Sequence, residues 1–152
     1  MVTNGDIAPD FELLDSNEEL VKLSDFRGRK VILFFYPKAG TSGCTTQACG
    51  FRDKFSAIEE VDATVVGVSP DKPAALAKWK SEEKLPYALL SDPDHAIADE
   101  YGAWGEKTMF GNTYMGIIRS HFVIDEEGRI ADARIKITPK NSVKEALESL
   151  SK

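Results

Sequence analysis

Two apolar runs, VILFFY at 31–36 and ATVVGVS at 63–69, constrain this chain more than any other feature. Neither alternates polar with apolar residues, so each reads as a strand covered on both faces. Strands of that kind belong to parallel βαβ units, in which a helix carries the chain back between them. The residues between them supply it: after the loop PKAGTSG, a helical stretch is expected to run to about Glu59. A second helix is expected in DKPAALAKWKSEEKL, where Ala75, Leu76 and Trp79 share a face and Pro73 stands near the start. YALLS (87–91) reads as a third strand, and DHAIADEYG as a short helix ended by Gly102.

The flanks read differently. Phe11 to Leu14 and Leu20 to Leu23 form a hairpin turning at Asp15-Ser16-Asn17. AWGEKTMFGNTYMG is expected to be a glycine-punctuated loop with a heavy apolar load. IIRSHFVID and RIADARIKI flank the turn Glu126-Glu127-Gly128 as an antiparallel hairpin, and a last helix spans Ser142 to Leu150. This order predicts an α/β fold over residues 1–152 as a single domain. Its core is a central mixed β-sheet flanked by helices, with an N-terminal β-hairpin. In such sheets the working site lies where a strand's carboxyl end meets the next helix. VILFFY delivers the chain straight to Cys44.

Charge and composition exclude several functions. The net charge of −6 argues against a nucleic-acid binder and against adhesion to anionic membranes. The N-terminal residues lack the basic and apolar regions of a signal peptide, and the longest apolar runs fall far short of a bilayer span. The expected location is the cytoplasm, where thiols are kept reduced. No phosphate-binding glycine motif is present. The two histidines, His95 and His121, show no ligand spacing, so neither a metal nor a cofactor is expected.

That leaves two cysteines, Cys44 and Cys49. A free cysteine often serves as a small buried hydrophobe. Cys44, however, follows Thr41, Ser42 and Gly43, which are N-cap and loop residue types, and so falls in the first turn of its helix. Unpaired N–H groups and the positive end of the helix dipole favour a thiolate there. Residues i and i+5 on a helix lie about 8–9 Å apart at Cα. A disulfide wants roughly 4.4–6.8 Å. A permanent staple is not built this way. A reaction cycle is compatible with it, if the turn unwinds to let one sulfur reach the other.

YPKAGTSGCTTQACGFRD resembles the active-site segment of the peroxiredoxins, in particular their Q-type, or bacterioferritin-comigratory-protein, subfamily. The pattern P-x-x-x-[TS]-x-x-C maps onto Pro37, Thr41 and Cys44, and the subfamily's second cysteine onto Cys49. YGAWGEKTMFGNTYMGIIRSHFVID matches further along, placing the family's arginine at Arg119. The resemblance covers nearly the whole chain and implies a thioredoxin-like fold. It also implies thiol-dependent reduction of hydrogen peroxide and organic hydroperoxides, with a thioredoxin-type dithiol as the recycling partner. Cys44 is then the attacking thiolate and Cys49 the thiol that resolves its sulfenic acid as a disulfide. Arg119 brings fixed charge to thiolate and peroxide. Thr41 hydrogen-bonds the sulfur or a peroxide oxygen, Pro37 shields the sulfur, and the N–H groups of Gly43 and Cys44 cradle the peroxide. With both cysteines in one chain, a monomer is expected, with a dimer as the alternative. A one-cysteine peroxidase with Cys49 idle, and a peroxide-sensing binding module that does not turn over, are the alternatives.

Two positions depart from the family pattern. Ser42 replaces a common proline and adds a possible N-cap hydroxyl. Gln47 replaces a common glutamate, keeping an acceptor for an arginine while removing a negative charge near the sulfur. His121 reads as structural, His95 as surface, and Arg52 as a solvated helix charge with an ion-pair role near the site held open. Trp104, Phe110, Tyr114 and Met115 read equally as core or as a wall or contact surface. The glutamine should leave the Cys44 thiolate no less favoured than a glutamate would. Titration of the Cys44 thiol should therefore give no lower pKa in Gln47→Glu than in the wild type.

Overall fold

Successive side chains of a strand leave opposite faces of its sheet, and in β3 (Lys30–Phe35) both faces are buried. Val31, Leu33 and Phe35 join one apolar cluster, while Ile32, Phe34 and the following Tyr36 join the other. The structure, a computed structural model, describes residues 2–150. Met1, Ser151 and Lys152, the ends of the expected domain span, lie outside the described residues.

β4 (Ala63–Ser69) runs parallel to β3 with Val31 opposite Thr64 and Phe35 opposite Val68, and β5 (Ala88–Ser91) runs parallel to β4. On the other side of β3 lies the antiparallel pair β8 (Ser120–Ile124) and β9 (Ile130–Ile135). The N-terminal hairpin, β1 (Glu12–Asp15) and β2 (Leu20–Lys22), extends the sheet through an antiparallel pairing of β1 with β5. The order is β2-β1-β5-β4-β3-β8-β9, a mixed sheet of seven strands. α1 (Ser42–Asp53), α2 (Phe55–Glu60), α3 (Pro73–Glu83) and α5 (Pro139–Leu150) cover the face of Ile32 and Phe34. α4 (Ala96–Tyr101), ended by Gly102 at φ 79°, contributes Ala98 and Tyr101 to the other cluster. Both faces are thus covered, as the strand patterns require.

Two expectations are corrected. The helix expected to continue to Glu59 breaks at Lys54, which adopts φ −107°, ψ 5° between α1 and α2. No glycine or proline marks that break, so periodicity reads through it. The expected loop at 103–116 is instead a two-stranded ribbon, β6 (Trp104–Met109) and β7 (Asn112–Ile117). Its turn places Phe110 and Gly111 at φ 52° and 80°. Positive φ at both central residues is what a tight hairpin turn demands. Phenylalanine is rarely the first of the two, so the turn carries no recognisable turn signature. Most side chains of the ribbon are exposed, which removes the alternation that would announce strands.

Gly67 sits at the centre of β4, where an added Cβ would lie 2.9 Å from Phe34 Cζ and 3.0 Å from Leu89 Cδ2. Both neighbours are fully buried and have no free volume to move into. Gly67→Ala should therefore destabilise the fold by about 1–3 kcal/mol. Urea unfolding should show a lower midpoint with an unchanged slope.

Candidate active site

The site begins where β3 ends. The chain passes through the half-buried Pro37 and enters α1 with Thr41 as N-cap, at φ −79°, ψ 155°. The helical bonding starts with the Thr45 N–H donating to the Thr41 carbonyl at 2.9 Å. Ser42, Gly43 and Cys44 occupy the turn before it, where N–H groups have no partner inside a helix. Cys44, Gln47, Ala48 and Phe51 form the buried stripe of α1, at the spacing that turns one helix face to the sheet. Cys44 is thus fully buried at a helix N-terminus. Two local details differ from expectation. Ser42 lies inside the helix and does not supply the cap, and no side chain caps α1. The Thr41 hydroxyl donates to the Lys38 carbonyl at 2.8 Å and so is not turned to the sulfur as a donor.

Arg119, between β7 and β8, reaches this turn from across the sheet. Its Nη2 donates to Cys44 Sγ at 3.4 Å and its Nη1 to Gln47 Oε1 at 2.7 Å. Gly43 makes the approach possible: a Cβ there would lie 3.1 Å from Arg119 Nη2 and 3.6 Å from Pro139 Cγ. Gln47 does what its acceptor promised, and its other end donates from Nε2 to Ser142 Oγ at 2.9 Å. Ser142 in turn lies 2.8 Å from His121 Nδ1. Since Ser142 already accepts from Gln47, we assign its hydroxyl proton to His121 Nδ1, which leaves the imidazole proton on Nε2, 3.9 Å from Asp132. Gln47, Ser142 and His121 are completely buried. Burial pushes His121 down to about 4, and the opposing pull of Asp132 does not offset it. His121 is structural, as its strand position suggested, and it anchors the far end of the chain of bonds that holds Arg119.

A second cation stands close by. Lys107, on β6, donates to the Ile117 carbonyl at 2.8 Å. Burial, and then the charge of Arg119, hold its amine below the ordinary lysine value. Lys107, Ile118, Arg119, Lys136 and Ile137 line an open groove of about 540 Å³ leading to the arginine. Sequence reasoning missed Lys107, Ser142 and this groove, because each depends on pairings across the fold. A hairpin signal at 104–117 would have found the first.

Cys49 faces the other way. It is half-buried, and its Sγ lies 3.4 Å from Glu83 Oε1 at the end of α3. Burial, and then the bond to Glu83, push its thiol up from the ordinary value. Arg52 donates from Nη1 to the Glu83 carbonyl at 2.7 Å and from Nε to Asp53 at 3.0 Å, so it joins α1 to α3 beside the second thiol. Both cysteines are free. Elsewhere, His95 is half-buried with its ring stacked 3.6 Å from Trp104, which corrects its reading as surface. Phe110 is 96% exposed, and Tyr114 and Met115 are exposed with it, so these three are not core.

A buried thiol at a helix start, gripped by an arginine and paired with a second thiol on the same helix, is the equipment of a thiol peroxidase. The chain belongs to the AhpC/TSA family, whose model matches residues 4–133. It is similar to the peroxiredoxin Bcp of Bacillus subtilis, with 47% identity over 96% of this chain and 93% of that protein. Among solved structures it is similar to peroxidoxin BcpB of Mycobacterium tuberculosis, with 34% identity and a TM-score of 0.88, covering 99% of this chain and 97% of the other. It is also similar to the bacterioferritin comigratory protein of Xanthomonas campestris, described for its alkyl peroxide reduction activity. There the identity is 27% and the TM-score 0.87, over 93% of this chain and 90% of the other. The fold is accordingly thioredoxin-like, and the chain is an enzyme of the peroxiredoxin class, an oxidoreductase. Among the described residues no helix is long and apolar enough to cross a membrane.

His121 has an ordinary value of 6.5 and a folded value of about 4. The unfolded chain therefore takes up a proton that the folded chain refuses. The resulting stability is complete above pH 6.5 and is lost as pH falls towards 4. Between pH 7.5 and 5 the loss should be on the order of 2 kcal/mol. Urea midpoints should follow that slope in the wild type and flatten in His121→Asn.

Proposed function

We propose that this enzyme reduces hydrogen peroxide and organic hydroperoxides at Cys44, resolves the product with Cys49, and is recycled by a thioredoxin-type dithiol. The Cys44 thiolate attacks the terminal oxygen of ROOH. The O–O bond breaks, Cys44 becomes a sulfenic acid, and RO⁻ takes a proton to leave as water or alcohol. Cys49 then displaces the hydroxyl from Cys44, giving a disulfide and water. A dithiol reduces that disulfide by exchange and becomes the oxidised partner.

The observation that carries this reading is Arg119, bonded at once to Cys44 and Gln47. A guanidinium in that position stabilises the thiolate and the charge that develops on the leaving oxygen. The Gly43 and Cys44 N–H groups, unpaired at the start of α1, are placed to receive a peroxide oxygen. Thr41, with its proton given to Lys38, offers an acceptor to the peroxide hydrogen. Pro37 shields the site and presents no N–H that would compete for it. The alkyl peroxide reduction named for the Xanthomonas campestris protein supports the same substrate class. We place the enzyme in the cytoplasm as a monomer, since one chain carries both sulfurs.

The experiment is steady-state peroxide consumption with thioredoxin and its reductase. Cys44→Ser should abolish turnover. Cys49→Ser should retain reaction with the first equivalent of peroxide and lose recycling. Mass spectrometry after one equivalent should find the wild type lighter by two hydrogens and Cys49→Ser heavier by one oxygen. Stoichiometric oxidation of the wild type without turnover would favour a sensor and overturn the proposal.

A further inference from the structure

We propose that Glu83 is the general base for Cys49 in the resolving step, and that Cys49 stays seated on Glu83 while Cys44 moves to it. The proposal rests on the reading of Cys49 as the resolving thiol.

The two ends of α1 are held unequally. From Gln47 onwards every turn is tied down. Gln47 donates to Ser142 at 2.9 Å, and the Tyr87 hydroxyl donates to the Ala48 carbonyl at 2.7 Å. Gly50 lies so close to α5 that a Cβ would come within 2.7 Å of Val143 Cγ2. Phe51 packs 5.1 Å from the Phe34 ring, and Arg52 is bonded to the Glu83 carbonyl. Before Gln47, Ser42 and Thr46 are exposed, and Cys44 alone is buried. It packs in the apolar cluster of that face, and its polar tie to the site is the bond from Arg119. A guanidinium holds a thiolate more strongly than a neutral sulfur group, because the opposite charges add Coulomb attraction to the hydrogen bond. Oxidation of the thiolate to a neutral sulfenic acid therefore weakens the contact that holds this turn. The turn that releases carries Cys44, and the half that stays carries Cys49.

On that half the thiol already points at a carboxylate. The Cys49 S–H lies 3.4 Å from Glu83 Oε1, and no other side-chain bond to that carboxylate is present among the described residues. The groups facing Cys49 are Glu83 from α3, Arg52 and Asp53 from α1, and Tyr87 ahead of β5. Arg52 stays charged, raised by its bond to Asp53, and Tyr87 stays neutral, pushed well up by burial. Before oxidation the arrangement keeps Cys49 protonated, so it does not compete with Cys44 for peroxide. During resolution the proton passes to Glu83 as Cys49 sulfur bonds to Cys44 sulfur. The Cys44 S–O bond breaks, and the departing hydroxide takes the proton back from Glu83 and leaves as water.

Rapid mixing with one equivalent of peroxide, acid quench and mass spectrometry reads the two steps separately. In Glu83→Gln, Cys44 oxidation should keep its wild-type rate, while disulfide formation at pH 7 slows by about 100-fold. That slow step should accelerate about tenfold per pH unit as solvent takes over deprotonation of the thiol. Glu83→Asp should restore part of the rate and flatten the pH profile. Disulfide formation in Glu83→Gln at the wild-type rate, or slowed equally at every pH, would overturn the proposal. Retained Cys44 oxidation certifies a folded variant. If Glu83→Gln loses it, the Glu83→Asp pH profile decides, and one shaped like the wild type but uniformly slow overturns the proposal too. A wild type that accumulates sulfenic acid as Cys49→Ser does would instead remove the resolving role of Cys49, and the two failures are told apart by that control.

Discussion

The guanidinium of Arg119 is the joint on which the site depends. One of its nitrogens meets Cys44 and the other meets Gln47, so the thiol and its helix are held by one rigid planar group. The grip is only as firm as what stands behind Gln47. Ser142 on α5 accepts from the amide, and His121 on β8 accepts from Ser142. The result is a line of donors and acceptors through the buried face of the molecule, each member satisfied in one direction. Such a line is costly to interrupt, because removing a member leaves its neighbours buried without partners. Burial keeps its last member, His121, neutral, and the acceptor at Nδ1 is what ends the line.

Two sulfurs five residues apart on α1 live under opposite conditions. Cys44 meets a helix N-terminus and a cation. Cys49, on another side of α1, meets a carboxylate and is pushed up by burial. The helix axis makes this division. A stripe of Cys44, Gln47, Ala48 and Phe51 faces the sheet, while the position of Cys49 points across to α3. One residue type can therefore serve as attacker at one position and as a protonated reserve at another.

The centre of the sheet was legible because its strands are buried twice. VILFFY and ATVVGVS have no alternative as strands, and the fold follows from threading helices between them. Cys44 was legible for a local reason, since Thr41-Ser42-Gly43 is helix-start chemistry whatever surrounds it. The ribbon of β6 and β7 was not, because its tight turn uses Phe110 and its strands lack a buried face. Arg119 was legible only through the family resemblance. Its acceptor at Gln47 was readable as a possibility, but Ser142 lies 95 residues further along the chain. Glu83 stands in a run, SEEK, that reads as an ordinary solvated helix face. What places its carboxylate against Cys49 is the packing of α3 on α1, and no local pattern encodes that.

Gly43 shows how closely geometry and local stability are joined here. It has no Cβ because the Arg119 guanidinium occupies the space a Cβ would need. The same absence weakens the helix, since glycine costs about 1 kcal/mol against alanine in a helical turn. The approach that lets a cation reach the thiol thus also lowers the intrinsic stability of the first turn of α1. From Gln47 onwards the helix is tied to α5, the sheet and α3, and an equal loss there would be absorbed. A chain that must bring two distant sulfurs together need not unfold a whole helix to do it. It needs one less firmly anchored turn, held by a charged contact that the reaction itself weakens.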